Sequence, residues 1–244
     1  MHRASLVSGL LLACFAVPQV HAVLQDIGNL QDLLKESEAP SAIEALADRL
    51  QTEALVASFR DVDDGAWYAP YVAAMVRRGV VSGDADKQGN PLGTFRPQDY
   101  VTIAEGLKIV FRSAGIKEEQ CTGTPHNQQA ADHWSRSFVL CAEGIVVRLM
   151  TPQTSLNRSM TRGEAVALID DVFGDPAPAD FTLPFRDAAG HRYAADIAYN
   201  AVLKIITGDT DSSGQVTGYF RPNDPLKRSE IVKIIARKLE KAGL

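Results

Sequence analysis

The residue pattern with the clearest chemistry is Thr161, Arg162, Gly163 and Glu164. A Thr followed three positions later by Glu reads as a capping box. The hydroxyl accepts from the backbone N–H of the Glu, and the Glu side chain returns to the cap's own N–H. Arg162 then occupies the first helical position, pointing outward beside unpaired amides and the positive end of the helix dipole. A planar, permanently charged donor fork in that place suits a carboxylate or a phosphate. Thr102 and Glu105 form a second box around Ile103, and Lys227, Arg228 and Glu230 form a third in which Lys replaces the capping Thr. The expected anion donors are therefore Arg162 and Arg228, with Lys227 compensating in part. Ile103 supplies no donor, so one of three expected sites lacks its key group.

The other polar clusters read as turns. Asp61, Asp63 and Asp64 precede Trp67 as a solvated turn with an Asp cap. Asp84, Asp86 and Gly89, and again Asp209, Asp211 and Gly214, have the look of a calcium loop. A calcium loop of that type ends on a bidentate Glu at its twelfth position, and here those positions are Phe95 and Phe220. Turn chemistry is the reading, and no metal is expected. The chain has no Gly-x-Ser-x-Gly, no His-Glu-x-x-His and no phosphate loop, and its five His residues are scattered. Neither catalysis nor a cofactor is expected.

Stepping outward from the boxes, a larger frame repeats. Phe59 and Asp61 match Phe185 and Asp187; Gly83 and Asp84 match Gly208 and Asp209; Phe95 and Pro97 match Phe220 and Pro222. Ten positions separate Phe95 from Glu105 and Phe220 from Glu230, and twelve separate Gly83 from Phe95 and Gly208 from Phe220. A unit of this size cannot bury its apolar face alone, so copies must pack on one another. Apolar residues at helical spacing follow each box: Ile103, Leu107, Val110 and Phe111, then Ala165, Val166, Ile169, Val172 and Phe173, then Val232, Ile235 and Leu239. A helix from about Ala66 to Arg78 carries Tyr68, Tyr71, Val72, Met75 and Val76 on one face. The last helix also carries Lys233, Arg237, Lys238 and Lys241, read as a basic polar face near a helix C-terminus.

The frame of Phe-x-Asp, a Trp-led helix, Gly, Phe-x-Pro and Thr-Arg-x-Glu resembles the S-layer homology family, over roughly Phe59 to Leu244. The resemblance implies a non-catalytic module that binds an anionic cell-wall polysaccharide or peptidoglycan and anchors protein at the cell surface. It implies ligand grooves between repeats that use the box Arg, hence Arg162 and Arg228. Lys227, Trp67, Asp61, Asp187, Gly83 and Gly208 complete the expected ligand-binding set, and Thr102, Glu105, Thr161 and Glu164 are the expected helix caps. The expected fold is all-α, three repeats in a pseudo-threefold helical bundle with short loops after a helical N-terminal segment. The boundaries are a signal peptide at 1–22, a helical segment at 23–58, and repeats at 59–115, 121–174 and 185–244, with a linker at 175–184. The middle repeat is degenerate: Val147 and Arg148 stand where the others have Ser82 and Gly83 or Thr207 and Gly208. The competing function is an envelope assembly scaffold with decayed sugar sites, joined to other envelope proteins through its N-terminal helices.

Composition agrees with an exported globular protein. The formal net charge is −5, which offers nucleic acid or anionic membranes no positive field. A basic start, the apolar run from Ala4 to Val17 and small residues before Ala22 read as a cleaved secretory signal, placing the mature chain at the cell surface or in the periplasm with no membrane span. A rival reading makes Cys14 an acylated lipoprotein terminus. After cleavage Cys121 and Cys141 remain, an even count that suggests one disulfide in an oxidising compartment. His126 and His133 lie between them, so a Cys/His zinc site and two free thiols are the alternatives.

Overall fold

The computed structural model describes residues 40–175 and 181–244, and residues 40–44 by backbone alone. The signal segment, Cys14, the apolar pattern from Leu24 to Leu34 and the centre of the linker lie outside the described residues. So do the side chains of residues 40–44 in the helical segment expected at 23–58. The chain is all-α, as expected. Its helices are α1 (Pro40–Val56), α2 (Ala69–Arg77), α3 (Ile103–Ser113), α4 (Arg136–Gly144), α5 (Arg162–Phe173), α6 (Ala194–Val202) and α7 (Arg228–Lys241). Extended pairing among the described residues is confined to isolated bridges. Two compact units divide between Pro97 and Gln98, inside the stretch expected as the first repeat.

In the unit that ends at Pro97, α1 packs on α2. Ala47, Leu55 and Val56 of α1 and Ala69, Val72, Ala73 and Met75 of α2 are buried. Arg77 ties the pair by donating to Asp48 at 2.8 Å and to Thr52 at 3.2 Å. Helix α2 starts at Ala69 rather than Ala66 because Pro70 fits the first turn, where its missing N–H is not needed. Trp67 therefore stands in the preceding turn. The loop after Gly83 is closed by Asp86, which accepts from the amides of Gln88 and Asn90 at 2.9 and 2.8 Å.

In the unit from Gln98 onward, α5 is buried almost all round, from Arg162 and Gly163 through Ala165 to Asp170. Such a helix is the core rather than a surface element. Helix α3 presents Ile103, Leu107, Val110 and Phe111 to the interior, and α7 presents Val232, Ile235 and Leu239. The Cys121–Cys141 disulfide (Cα–Cα 5.1 Å) pins the segment before α4 to that helix. Helix α7 also departs from the sequence reading. Lys238 of α7 is buried, not part of a solvated basic face, because it reaches acidic groups described below and lies over the Phe173 ring. No helix among the described residues is long and apolar enough to cross a membrane.

Candidate functional site

The heads of α3, α5 and α7 meet in a closed ring of backbone hydrogen bonds. Val101 N–H donates to Leu226 C=O (2.9 Å), Leu226 to Met160 (2.9 Å) and Met160 to Val101 (2.8 Å). A second ring lies outside it: Ile103 N–H to Arg158 C=O, Arg162 to Asp224 and Arg228 to Asp99, at 2.9–3.0 Å. Each strand-like stretch before a helix therefore serves the next helix start, and the three starts occupy equivalent places.

Thr102 and Thr161 cap their helices. Glu105 N–H and Glu164 N–H each donate to the Thr hydroxyl at 3.2 Å, and the Thr N–H groups donate back to the Glu carboxylates at 2.9 Å. At α7 only half the box remains. Lys227 N–H donates to Glu230 at 2.9 Å, while Glu230 N–H turns to the Lys227 carbonyl at 3.0 Å. The Lys227 ammonium leaves the site and donates to Gln98 Oε1 at 2.9 Å.

The box arginines are not the exposed donors that the sequence suggested. Arg162 and Arg228 are each 7% exposed. Arg162 donates from Nε to Phe220 C=O (2.8 Å) and from Nη1 to Glu230 Oε1 (2.5 Å), with its guanidinium 4.8 Å over the Phe220 ring. Arg228 donates from Nη1 to Glu105 Oε1 at 3.1 Å. Each therefore crosses to the capping glutamate of another helix. Nor are the first amides of α5 open to an anion, because Arg162 N–H is taken by Asp224, Gly163 N–H by Pro222 and Glu164 N–H by Thr161. The amides at the start of α5 are taken by two backbone carbonyls and the cap hydroxyl.

Glu164 has no Arg at position 103 to receive. Arg158 serves it instead, with Nη1 and Nη2 at 2.8 and 2.6 Å from its two oxygens. Burial acts to raise the Glu164 pKa, but the Arg158 hydrogen bonds and the Thr161 amide outweigh it and hold the carboxyl below its usual value. Sequence reading missed Arg158. The available signal was charge: the equivalent residues, two before Val101 and Leu226, are Asp99 and Asp224.

The remaining expected ligand residues do structural work in this fold. Asp61 accepts from the amides of Phe95 and Arg96 at 2.8 and 2.7 Å, and Asp187 from those of Phe220 and Arg221 at 3.0 and 2.7 Å. A Cβ at Gly83 would stand 2.5 Å from the Phe59 ring, and one at Gly208 would stand 2.6 Å from the Phe185 ring. Both glycines are there for close approach of a ring to the backbone. Trp67 is 53% exposed and stands edge-on to Tyr68. His133, weighed from sequence as a zinc ligand, and His191, which the sequence reading left unassigned, hold matching places: His133 Nε2 lies 3.1 Å from Asn157 Oδ1, and His191 Nε2 lies 3.2 Å from Asn223 Oδ1. A Cβ at Gly163 would meet the His191 ring at 2.7 Å, so that glycine is required by the packing of this pair. Among the described residues, no His, Cys, Asp and Glu cluster is placed to hold a metal.

Residues 58–105 match the family model of the S-layer homology domain. The chain is 27% identical over 182 residues to Cell surface glycoprotein 1 of Acetivibrio thermocellus, covering 68% of this chain and 8% of that protein. It is 24% identical over 205 residues to the Surface-layer 125 kDa protein of Lysinibacillus sphaericus, covering 83% of this chain and 17% of that protein. Exoglucanase XynX of Acetivibrio thermocellus is 28% identical over 127 residues, 49% of this chain and 11% of the enzyme. The chain thus spans less than a fifth of the length of each of these relatives.

Proposed function

We propose that this chain is a non-catalytic envelope module that holds protein at the cell surface by binding an anionic wall polysaccharide or peptidoglycan. The observation that carries the reading is the S-layer homology match over residues 58–105. The frame of Asp61, Gly83 and Phe95 recurs as Asp187, Gly208 and Phe220 with the same amide clamp, which supports tandem repeats beyond the matched stretch. The closed ring of three helix heads supports a degenerate copy between them, over residues 121–174. The names of two relatives, a cell surface glycoprotein and a surface-layer protein, support export and a surface location.

Arg162 keeps one route to an anion. Its Nε and Nη1 are committed, while Nη2 makes no hydrogen bond among the described residues and is not sealed from solvent. A wall carboxylate or phosphate would take that edge of the guanidinium, sharing it with Glu230. Calorimetry of the full chain against purified wall polysaccharide and against bare peptidoglycan tests the reading. Saturable binding that weakens with added salt is the expected result. Absence of binding to both polymers, with self-association in sedimentation, overturns it in favour of an assembly scaffold.

A further inference from the structure

Away from the helix heads, α5, α6 and α7 share a buried acidic cluster. Asp170 of α5 and Asp196 of α6 are each 1% exposed, beside buried Asn200 of α6 and Lys238 of α7. Arg148, from the turn after α4, holds Asp196 through Nη2 and Nη1 at 2.6 and 3.1 Å. The same Arg148 donates from Nε to Asp171 of α5 at 2.7 Å. Lys238 is ion-paired with Asp175 and only reaches 4.0 Å from Asp170 Oδ1. Asn200 Nδ2 donates to Asp170 Oδ2 at 2.7 Å. That leaves Asp170 Oδ1 buried with no hydrogen-bond partner, and the same Asn200 Nδ2 also donates to the Asp196 C=O at 2.9 Å, which draws the two acidic residues to one amide.

The charge balance does not close if every acid is ionised. Asp170, Asp171, Asp175 and Asp196 face two cations, Arg148 and Lys238. Two carboxylates side by side out of water cannot both keep their charge, so one takes a proton. Asp196, Asp171 and Asp175 each take a close ion pair, whereas Asp170 has only Lys238 at 4.0 Å. A proton on Asp170 also gives the orphan oxygen a function, since it becomes the donor to Asp196. We propose that Asp170 and Asp196 share one proton that latches α6 to α5, and that losing it as the medium turns alkaline loosens α6.

Titration behaviour agrees with the geometry. Burial pushes the Asp170 carboxyl up to about 7, with the Asp196 charge acting the same way and Asn200 and Lys238 opposing it. Lys238 is itself pulled down by burial and pushed up by Asp170. The sign follows from a folded pKa above the unfolded value. The folded state holds a proton that the unfolded chain releases, so the stabilisation is complete in acid. It falls as pH rises through the folded pKa, and is flat above it.

Hydrogen exchange of the full chain at pH 5.5 and 8.5, corrected for the intrinsic rise of exchange with pH, tests the latch. Protection in residues 194–202 should drop by up to roughly thirtyfold between the two conditions, the linkage expected for one carboxyl displaced that far. Asp170→Asn places a permanent amide donor beside Asp196. It should erase the pH difference and raise α6 protection at pH 8.5. Equal wild-type protection at both pH values overturns the latch, and so does an Asp170→Asn variant with an unchanged pH difference. The wild-type comparison decides alone if the variant does not fold.

Discussion

The heads of α5 and α3 have the same cap and the same place in the ring, and differ at their first helical residue, Arg162 against Ile103. Arg162 crosses to the cap glutamate of α7, Glu230. Ile103 can cross to nothing, and the glutamate it would have reached, Glu164, is held by Arg158. In the backbone ring Ile103 lies against Arg158, whereas Arg162 lies against Asp224 and Arg228 against Asp99. The two solutions are alternatives, an Arg at the helix head beside an Asp or an apolar head beside an Arg. What the ring requires is one guanidinium for each capping carboxylate, because a half-buried Glu that already spends one oxygen on an amide cannot leave the other unpaired cheaply.

Combining both solutions at one corner is the most damaging change. Ile103 is 0% exposed, so Ile103→Arg buries a second guanidinium beside Arg158, and about 4 kcal/mol of stability should be lost. Adding Arg158→Asp recreates the α5 pattern and should recover a large part of the loss. Denaturant midpoints of the single and double variants decide it. A double variant no more stable than the single would show that the charge exchange is not what pairs these positions.

The next largest effect belongs to Arg162→Ala, which strands Glu230, a Phe220 carbonyl and a ring face together. About 3 kcal/mol should be lost, again by denaturant midpoint. Arg162→Lys should recover only part, since the compact ammonium lacks the planar fork whose Nε and Nη1 reach Phe220 and Glu230 separately. Arg228→Ala should destabilise as well, because Arg228 is equally buried and donates to the cap glutamate Glu105. Unchanged stability in Arg162→Ala would return that residue to the role of a loose surface donor.

These two results separate what could be read in the chain from what could not. The Thr102 and Thr161 boxes are local, their partners three positions apart, and their geometry follows from residue type alone. The paired frames around Asp61 and Asp187 were legible for a similar reason, since Gly, Asp and Phe recur at fixed spacing. The exposure of Arg162 was not legible. Its partner Glu230 lies 68 positions away, and nothing local says which carbonyls will occupy the first amides of a helix. Lys238 failed in the same way: periodicity assigns it a face of α7 but not the Asp170 and Asp175 that cover it. Arg158 sat outside every motif, and only its sign, opposite to Asp99 and Asp224, marked it.

A smaller effect is expected at the substitute itself. Arg158 is 40% exposed at its side chain, so water can partly replace it, and Arg158→Ala should cost about 1–2 kcal/mol at pH 7. The loss should depend on pH. With Arg158 present the Glu164 pKa is depressed, so this stabilisation is present above the ordinary carboxylate range and is lost as pH falls through the lower folded value. Without Arg158 the hydrogen bonds and charge that most depress the Glu164 carboxyl are gone, and its pKa moves up. The gap between wild type and variant should therefore narrow from pH 7 to pH 4 in paired denaturation curves. A gap that stays constant would mean that Arg158 acts through packing and not through the Glu164 charge.

The smallest expected change, and the only gain, is at the head of α7, where the ring lacks its third Thr. Glu230 N–H there settles for the Lys227 carbonyl at 3.0 Å, a tighter turn than the hydroxyl contact that Thr102 and Thr161 provide. Lys227→Thr supplies that hydroxyl without touching Arg228 or the Glu230 return bond. A new Thr cap contributes about 1 kcal/mol when it replaces nothing. Here it replaces a backbone bond and gives up the Lys227–Gln98 contact at the surface, so roughly half of that should survive. A small upward shift of the denaturant midpoint is the expected reading. A downward shift would show that the Lys227 ammonium stabilises this corner more than a hydroxyl could, and that α7 is a third solution in its own right, not an incomplete copy of the other two.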